Sequence, residues 1–215
     1  MNTDRLIDML RSDIEPVRRG HLAGTLVAAI SVGAVATFIL MLATVGPRAG
    51  FQSTDHLKWI ALKLVFALSV VAAGAPPLYR SIRPGLENEV RWSLVVVPLL
   101  VAIAVSIAIV LDAPRALTVM LRGATTISWM RCLSRVVFFA ALPWGALIYA
   151  IRQGAPTRLR LSGAFAGLVA GGMGAAAYAF NCTSDSIPFV AVWYGLAIVL
   201  CTVIGAQLGP RMLRW

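Results

Sequence analysis

Residues 161–208 read "LSGAFAGLVAGGMGAAAYAFNCTSDSIPFVAVWYGLAIVLCTVIGAQL". Two apolar runs, 161–181 and 187–208, each approach the roughly 20 residues that carry a helix across about 30 Å of hydrocarbon. Only a short polar gap divides them, and it holds a cysteine, Cys182, beside Asn181, Thr183, Ser184, Asp185 and Ser186. A pair of long apolar runs joined this tightly reads as a hairpin of two membrane spans.

The rest of the chain repeats the pattern. Of 215 residues, 59% are hydrophobic and 13% charged, against about 25% charged in a soluble domain. Four further runs lie at about 22–45, 58–79, 93–111 and 132–151. The expected fold is therefore all-α: a polytopic membrane protein with six transmembrane helices over residues 21–215, preceded by a short cytoplasmic amphipathic helix within residues 1–20. No soluble domain of 50 residues fits between the spans.

The net charge of +10 does not read as a nucleic-acid surface, because the basic residues sit at loop ends rather than on one face. They read as topology signals. Arg5, Arg11, Arg18, Arg19, Arg80, Arg83, Arg91, Arg152, Arg158, Arg160, Arg211 and Arg214 fall on one side of six alternating spans. Arg48, Lys58, Arg115, Arg122, Arg131 and Arg135 fall on the other. Twelve against six puts both termini in the cytoplasm by the positive-inside rule.

In "MNTDRLIDMLRSDIEPVRRG", residues 1–20, Leu6, Leu10, Ile14 and Val17 recur at helical spacing, with Ile7 and Met9 beside them. Thr3 or Asp4 can cap the start, and Pro16 turns Glu15 away from helix. Three turns of helix are marginal alone in water, so the stripe needs a partner: the bilayer surface or a protein groove. The polar face carries Asp4, Asp8, Asp13 and Glu15 against Arg5 and Arg11, whereas anionic lipid favours a basic face. A protein groove is the better match.

Within the spans, Gly163, Gly167 and Gly171 form a small-residue ridge that lets another helix approach closely. Pro188 suits a first helical turn, and Pro76-Pro77 is expected to close span two. On the outer loop, Leu117, Met120 and Leu121 have the spacing of a surface helix, and Trp129 that of an interfacial anchor or a lid. Lys63 is the one clear charge inside a span and can snorkel to the outer interface.

Enzymes and pumps in membranes use ionisable groups at depth. No Asp, Glu or His falls mid-span, and phosphate loops, HExxH and CxxC are absent from the sequence. His21 and His56 fall on opposite sides. The expectation is no enzyme and no cofactor. Three cysteines remain. Cys132 opens span four and Cys182 ends span five, so both lie at the outer surface; Cys201 is buried in span six. Cys132 has Arg131 beside it and Arg135 one turn on, at a helix N-terminus, all of which favour thiolate. Cys132 is thus the expected attacking thiol and Cys182 the resolving one. Two thiols also satisfy a linear soft-metal ion. A disulfide and a metal dithiolate both stay open as the signal, and a small metal-ion carrier using the thiols is the alternative function.

The stretches "TDRLIDMLRSDIEPVRRG" (3–20), "LRLSGAFAGLVAGGMGAAAYAFNCTSDSIPFVAVWYG" (159–195) and "GAQLGPRMLRW" (205–215), with a cysteine opening span four, resemble the NrsF-like proteins. These are six-span inner-membrane anti-sigma factors of proteobacteria. The resemblance implies that the protein sequesters an extracytoplasmic-function sigma factor at the inner membrane. It implies release when heavy-metal or oxidative stress acts on two periplasmic cysteines, by position Cys132 and Cys182. Leu6, Ile7, Met9, Leu10, Ile14 and Val17 are then the expected partner-binding residues.

Overall fold

The structure, a computed structural model, describes residues 21–48, 54–83, 92–112, 118, 128–154 and 156–214. It holds six helices long and apolar enough to cross a membrane. These are α1 (His21–Thr44), α2 (Thr54–Ile82), α3 (Trp92–Asp112), α4 (Ser128–Arg152), α5 (Leu159–Ala179) and α6 (Ile187–Met212). No strand occurs among the described residues. The expected amphipathic helix within 1–20 lies outside the described residues, as do Leu117, Met120 and Leu121 of the expected surface helix.

Helix α5 is the hub. It packs on α1, α2, α4 and α6, and 83% of its span is buried, against 6% for α3 at the edge of the bundle. The reason is its side chains. Gly163, Gly167 and Gly171 turn toward α6, where Gly205, Cys201 and Ile198 meet them backbone to backbone. Gly174 faces α4: a Cβ there would lie 2.6 Å from the Val136 carbonyl oxygen. Gly172 faces Ala67 and Val71 of α2. Lipid tails are as apolar as leucine, so burial gives helices little reason to associate; close van der Waals packing does. The outer helix faces carry branched apolar side chains instead, such as Val27, Val35, Val65, Leu100, Ile107 and Leu111, all exposed.

The prolines divide. Pro188 takes the first turn of α6, as expected. Pro76 and Pro77, expected to end the second span, lie inside α2, which continues to Ile82. Each removes a backbone N–H, but the turns beyond them are held by packing. Leu78 and Ile82 are buried, and the Ser162 hydroxyl donates to the Ser81 carbonyl at 3.3 Å. Pro143 of α4 is accommodated by Gly33 of α1, whose Cβ position lies 3.0 Å away.

Six alternating helices leave His21 and the C-terminal end of α6 at one end of the bundle. There Arg152 Nε donates to the Met212 carbonyl at 2.7 Å, satisfying an orphan acceptor at the end of α6. The ends joining α1 to α2 and α5 to α6 meet at the other end.

Candidate functional site

The α5–α6 connection is pinned from three sides. On the first, α1 is capped beyond Thr44 by Gly46, whose φ of +69° lets its own N–H reach back to the Met41 carbonyl at 2.9 Å, a left-handed cap that glycine adopts without steric cost. This turn aims the following chain at α5: the Arg48 N–H donates to the Phe180 carbonyl at 3.0 Å, and Asn181 Nδ2 donates to the Gly46 carbonyl at 3.1 Å. On the second side, α2 contributes Lys63. On the third, α4 contributes Arg135, whose Nη1 donates to Asn181 Oδ1 at 2.7 Å and whose guanidinium lies 5.9 Å from the centre of the Tyr178 ring.

Lys63 is fully buried. It does not snorkel to the lipid–water interface as its sequence position suggested; it turns inward to the connecting loop. Nζ donates to the Cys182 carbonyl and to Asp185 Oδ1, both at 3.1 Å, and Arg48 Nη1 donates to Asp185 Oδ2 at 2.8 Å. An ammonium enclosed in a bundle needs such a partner. Burial pushes the Asp185 carboxyl up, but the hydrogen bonds and charges of Arg48 and Lys63 outweigh it and hold the group below the usual aspartate range.

The sign of the pH effect follows. In the unfolded chain an aspartate titrates near about 3.9. The Asp185 contribution is complete above that value and is lost as pH falls through the lower native value. The thermal midpoint in detergent should therefore drop below about pH 4, and the drop should be shallower in Asp185→Asn. Equal acid profiles would show that the carboxylate contributes nothing.

Beside this clasp lies a cleft of about 450 Å³, lined by Arg48, Arg131, Cys132, Arg135, Tyr178, Asn181 and Cys182 among others. Cys132 and Cys182 thus arrive at one cleft from α4 and α5. Both are free thiols, 1% and 4% exposed. Helix α4 starts at Ser128, so Cys132 sits one turn inside the helix rather than at its opening. Arg135 directs Nη1 at Asn181, and Arg131 is exposed. The Tyr194 hydroxyl, fully enclosed, makes no well-formed hydrogen bond among the described residues and looks toward the Cys182 thiol. Tyr194 closes a π-helical turn, Val190–Tyr194, near the start of α6, a distortion frequent at functional sites.

Cys201 lies elsewhere, in a separate apolar cavity between α4, α5 and α6 lined by Val137, Trp144 and Gly167. No group of three or more His, Cys, Asp or Glu is placed to hold a metal ion among the described residues. Trp129 stacks on Trp193 with ring centres 5.2 Å apart. Leu6, Ile7, Met9, Leu10, Ile14 and Val17 lie outside the described residues.

Sequence reading did not single out Arg48, Asn181 or Asp185. One signal was available: a lysine inside a span demands a counter-charge, and Asp185 is the carboxylate in the polar gap.

Known proteins match this chain along its whole length. The family described as "Negative regulator of sigma F" (NrsF) matches residues 10–215. The anti-sigma-F factor NrsF of Caulobacter vibrioides is 32% identical over 224 residues, and the probable anti-sigma-F factor NrsF of Azospira oryzae 29% identical over 216, each alignment covering 100% of both chains. No solved structure matches the chain. With a family match over nearly every residue and a relative of this identity at full coverage, the chain belongs to the NrsF family, the negative regulators of sigma F.

Proposed function

We propose that this protein is an anti-sigma factor of the bacterial inner membrane. It holds an extracytoplasmic-function sigma factor at the cytoplasmic face and releases it when heavy-metal or oxidative stress acts on Cys132 and Cys182 at the periplasmic face. The observation that carries the reading is positional: the two thiols share one cleft at the end of the bundle opposite His21 and the end of α6. The relatives named as anti-sigma-F factors supply the partner class. The excess of arginine on the terminal side supplies the orientation.

The relay follows from the fold. A disulfide forms when two thiols give up two protons and two electrons to an oxidant, and it holds two Cα atoms within about 7 Å. A soft two-coordinate metal ion displaces the same two protons and bridges the same sulfurs. Either bridge ties α4 to the end of α5, and α5 packs on α1, the helix that follows the N-terminal segment. A coupling of about 1–3 kcal/mol between the two ends shifts partner affinity about 5- to 150-fold.

Residues 1–20 are the proposed partner-binding segment, through Leu6, Ile7, Met9, Leu10, Ile14 and Val17. Buried apolar anchors dominate such interfaces at about 2 kcal/mol or more each. Leu6→Asp with Leu10→Asp should therefore weaken sigma-factor binding by about a hundredfold or more and switch on its target genes without stress. Full repression by the double variant, at normal protein levels, would place the binding surface elsewhere.

A further inference from the structure

The thiol end of the bundle carries more positive charge around its cleft than the neighbouring Asp185 can balance. Asp185 is shared by two cations, Lys63 and Arg48, so one positive charge is left over. Arg131 and Arg135 add two more, and among the described residues that line the cleft itself there is no carboxylate. The other ion pair described at this end, Lys58–Asp55, is exposed and self-contained. In a bundle surrounded by hydrocarbon, an excess of three positive charges at one opening is a strong local field, focused by low-dielectric walls.

The donors are also oriented. The Asn181 amide is fixed by the bond from its Nδ2 to the Gly46 carbonyl, which presents Oδ1 to Arg135. Arg135 is thereby held through one donor of a five-donor guanidinium, beside the Tyr178 ring. Arg48 is held the same way through Asp185. Arg131, exposed at the rim, completes a three-sided set from the α1–α2 loop and two turns of α4. Thr183 and Ser184 line the same space. Guanidinium forks that line one cleft suit the oxygens of a tetrahedral anion.

We propose that this cleft binds a tetrahedral oxyanion of the phosphate or sulfate type, either as a free inorganic dianion or as the singly charged phosphodiester of an anionic lipid headgroup. The site does not depend on the thiols signalling, because its donors are the arginines. An anion seated there neutralises the excess charge and lies against Cys132 and Cys182.

The test uses the full chain, reduced, in a neutral detergent. Thermal midpoints are measured with sodium sulfate or phosphate against sodium chloride at equal ionic strength. A parallel set uses nanodiscs of phosphatidylcholine with and without phosphatidylglycerol. Arg131→Gln is the folding-safe variant, since Arg131 is exposed, and Arg160→Gln at the opposite end is the control. Saturable stabilisation by sulfate or phosphate, weakened about tenfold in Arg131→Gln and unchanged in Arg160→Gln, supports a free oxyanion site. Stabilisation by phosphatidylglycerol alone, with the same dependence on Arg131, supports a headgroup site. No stabilisation beyond chloride in either setting, or equal stabilisation of wild type and Arg131→Gln, overturns the proposal.

Discussion

Replacing Asp185 with alanine should destabilise the bundle by about 3–5 kcal/mol, because it leaves a fully enclosed ammonium without its counter-charge. The Lys63 side chain cannot turn to water: it is 0% exposed and its reach ends at the Cys182 carbonyl and Asp185. The stranded charge is then relieved only by pulling the α5–α6 connection open. Arg48, partly exposed, can follow the solvent and adds little to the cost. Removing both charges should therefore recover most of the loss, so Lys63→Met with Asp185→Ala should be more stable than Asp185→Ala alone. The midpoint of heat-induced loss of monodisperse protein in detergent measures this. An Asp185→Ala protein as stable as wild type would mean that the clasp does not hold the thiol end together.

The second large effect is expected at Gly167. A Cβ at this position would fall onto the Cys201 carbonyl oxygen, with the Thr202 Cα 3.1 Å away. Both are backbone atoms of α6, so no side-chain rotation relieves the clash. Gly167→Ala should cost about 1–3 kcal/mol, the usual range for overpacking, and Gly167→Leu should separate α5 from α6 and leave little folded protein. Gly24→Ala, where an added Cβ meets nothing within 4 Å, is the matched control and should match or slightly exceed wild-type stability. Equal tolerance at Gly167 and Gly24 would show that the ridge is not a helix contact.

These two sites also mark what could be read from the residues. The ridge was legible because its spacing is local: every fourth residue of one helix faces one way, and small residues there have one use in a span. The six spans were legible for the same reason, since length and apolar composition are properties of contiguous segments. The shared depth of Cys132 and Cys182 needed only the alternation of spans. The clasp was not legible. Lys63 and Asp185 are 122 positions apart, and nothing in the spacing of either names the other. Pro76 and Pro77 misled because the local rule for proline was overridden by tertiary packing of Leu78, Ser81 and Ile82 against the bundle. Arg135 was read against its nearest thiol in sequence, yet its guanidinium reaches across to Asn181 in the α5–α6 connection.

Thiol control of sigma-factor release is the central claim, and serine variants in cells test it most directly. Transcription from a promoter of the cognate sigma factor is measured before and after exposure to cadmium or an oxidant. Cys132→Ser and Cys182→Ser should each repress as wild type at rest and fail to induce, because either loss removes one end of the bridge. Cys201→Ser, away from the cleft, should induce normally. Wild-type induction in both Cys132→Ser and Cys182→Ser would contradict the account.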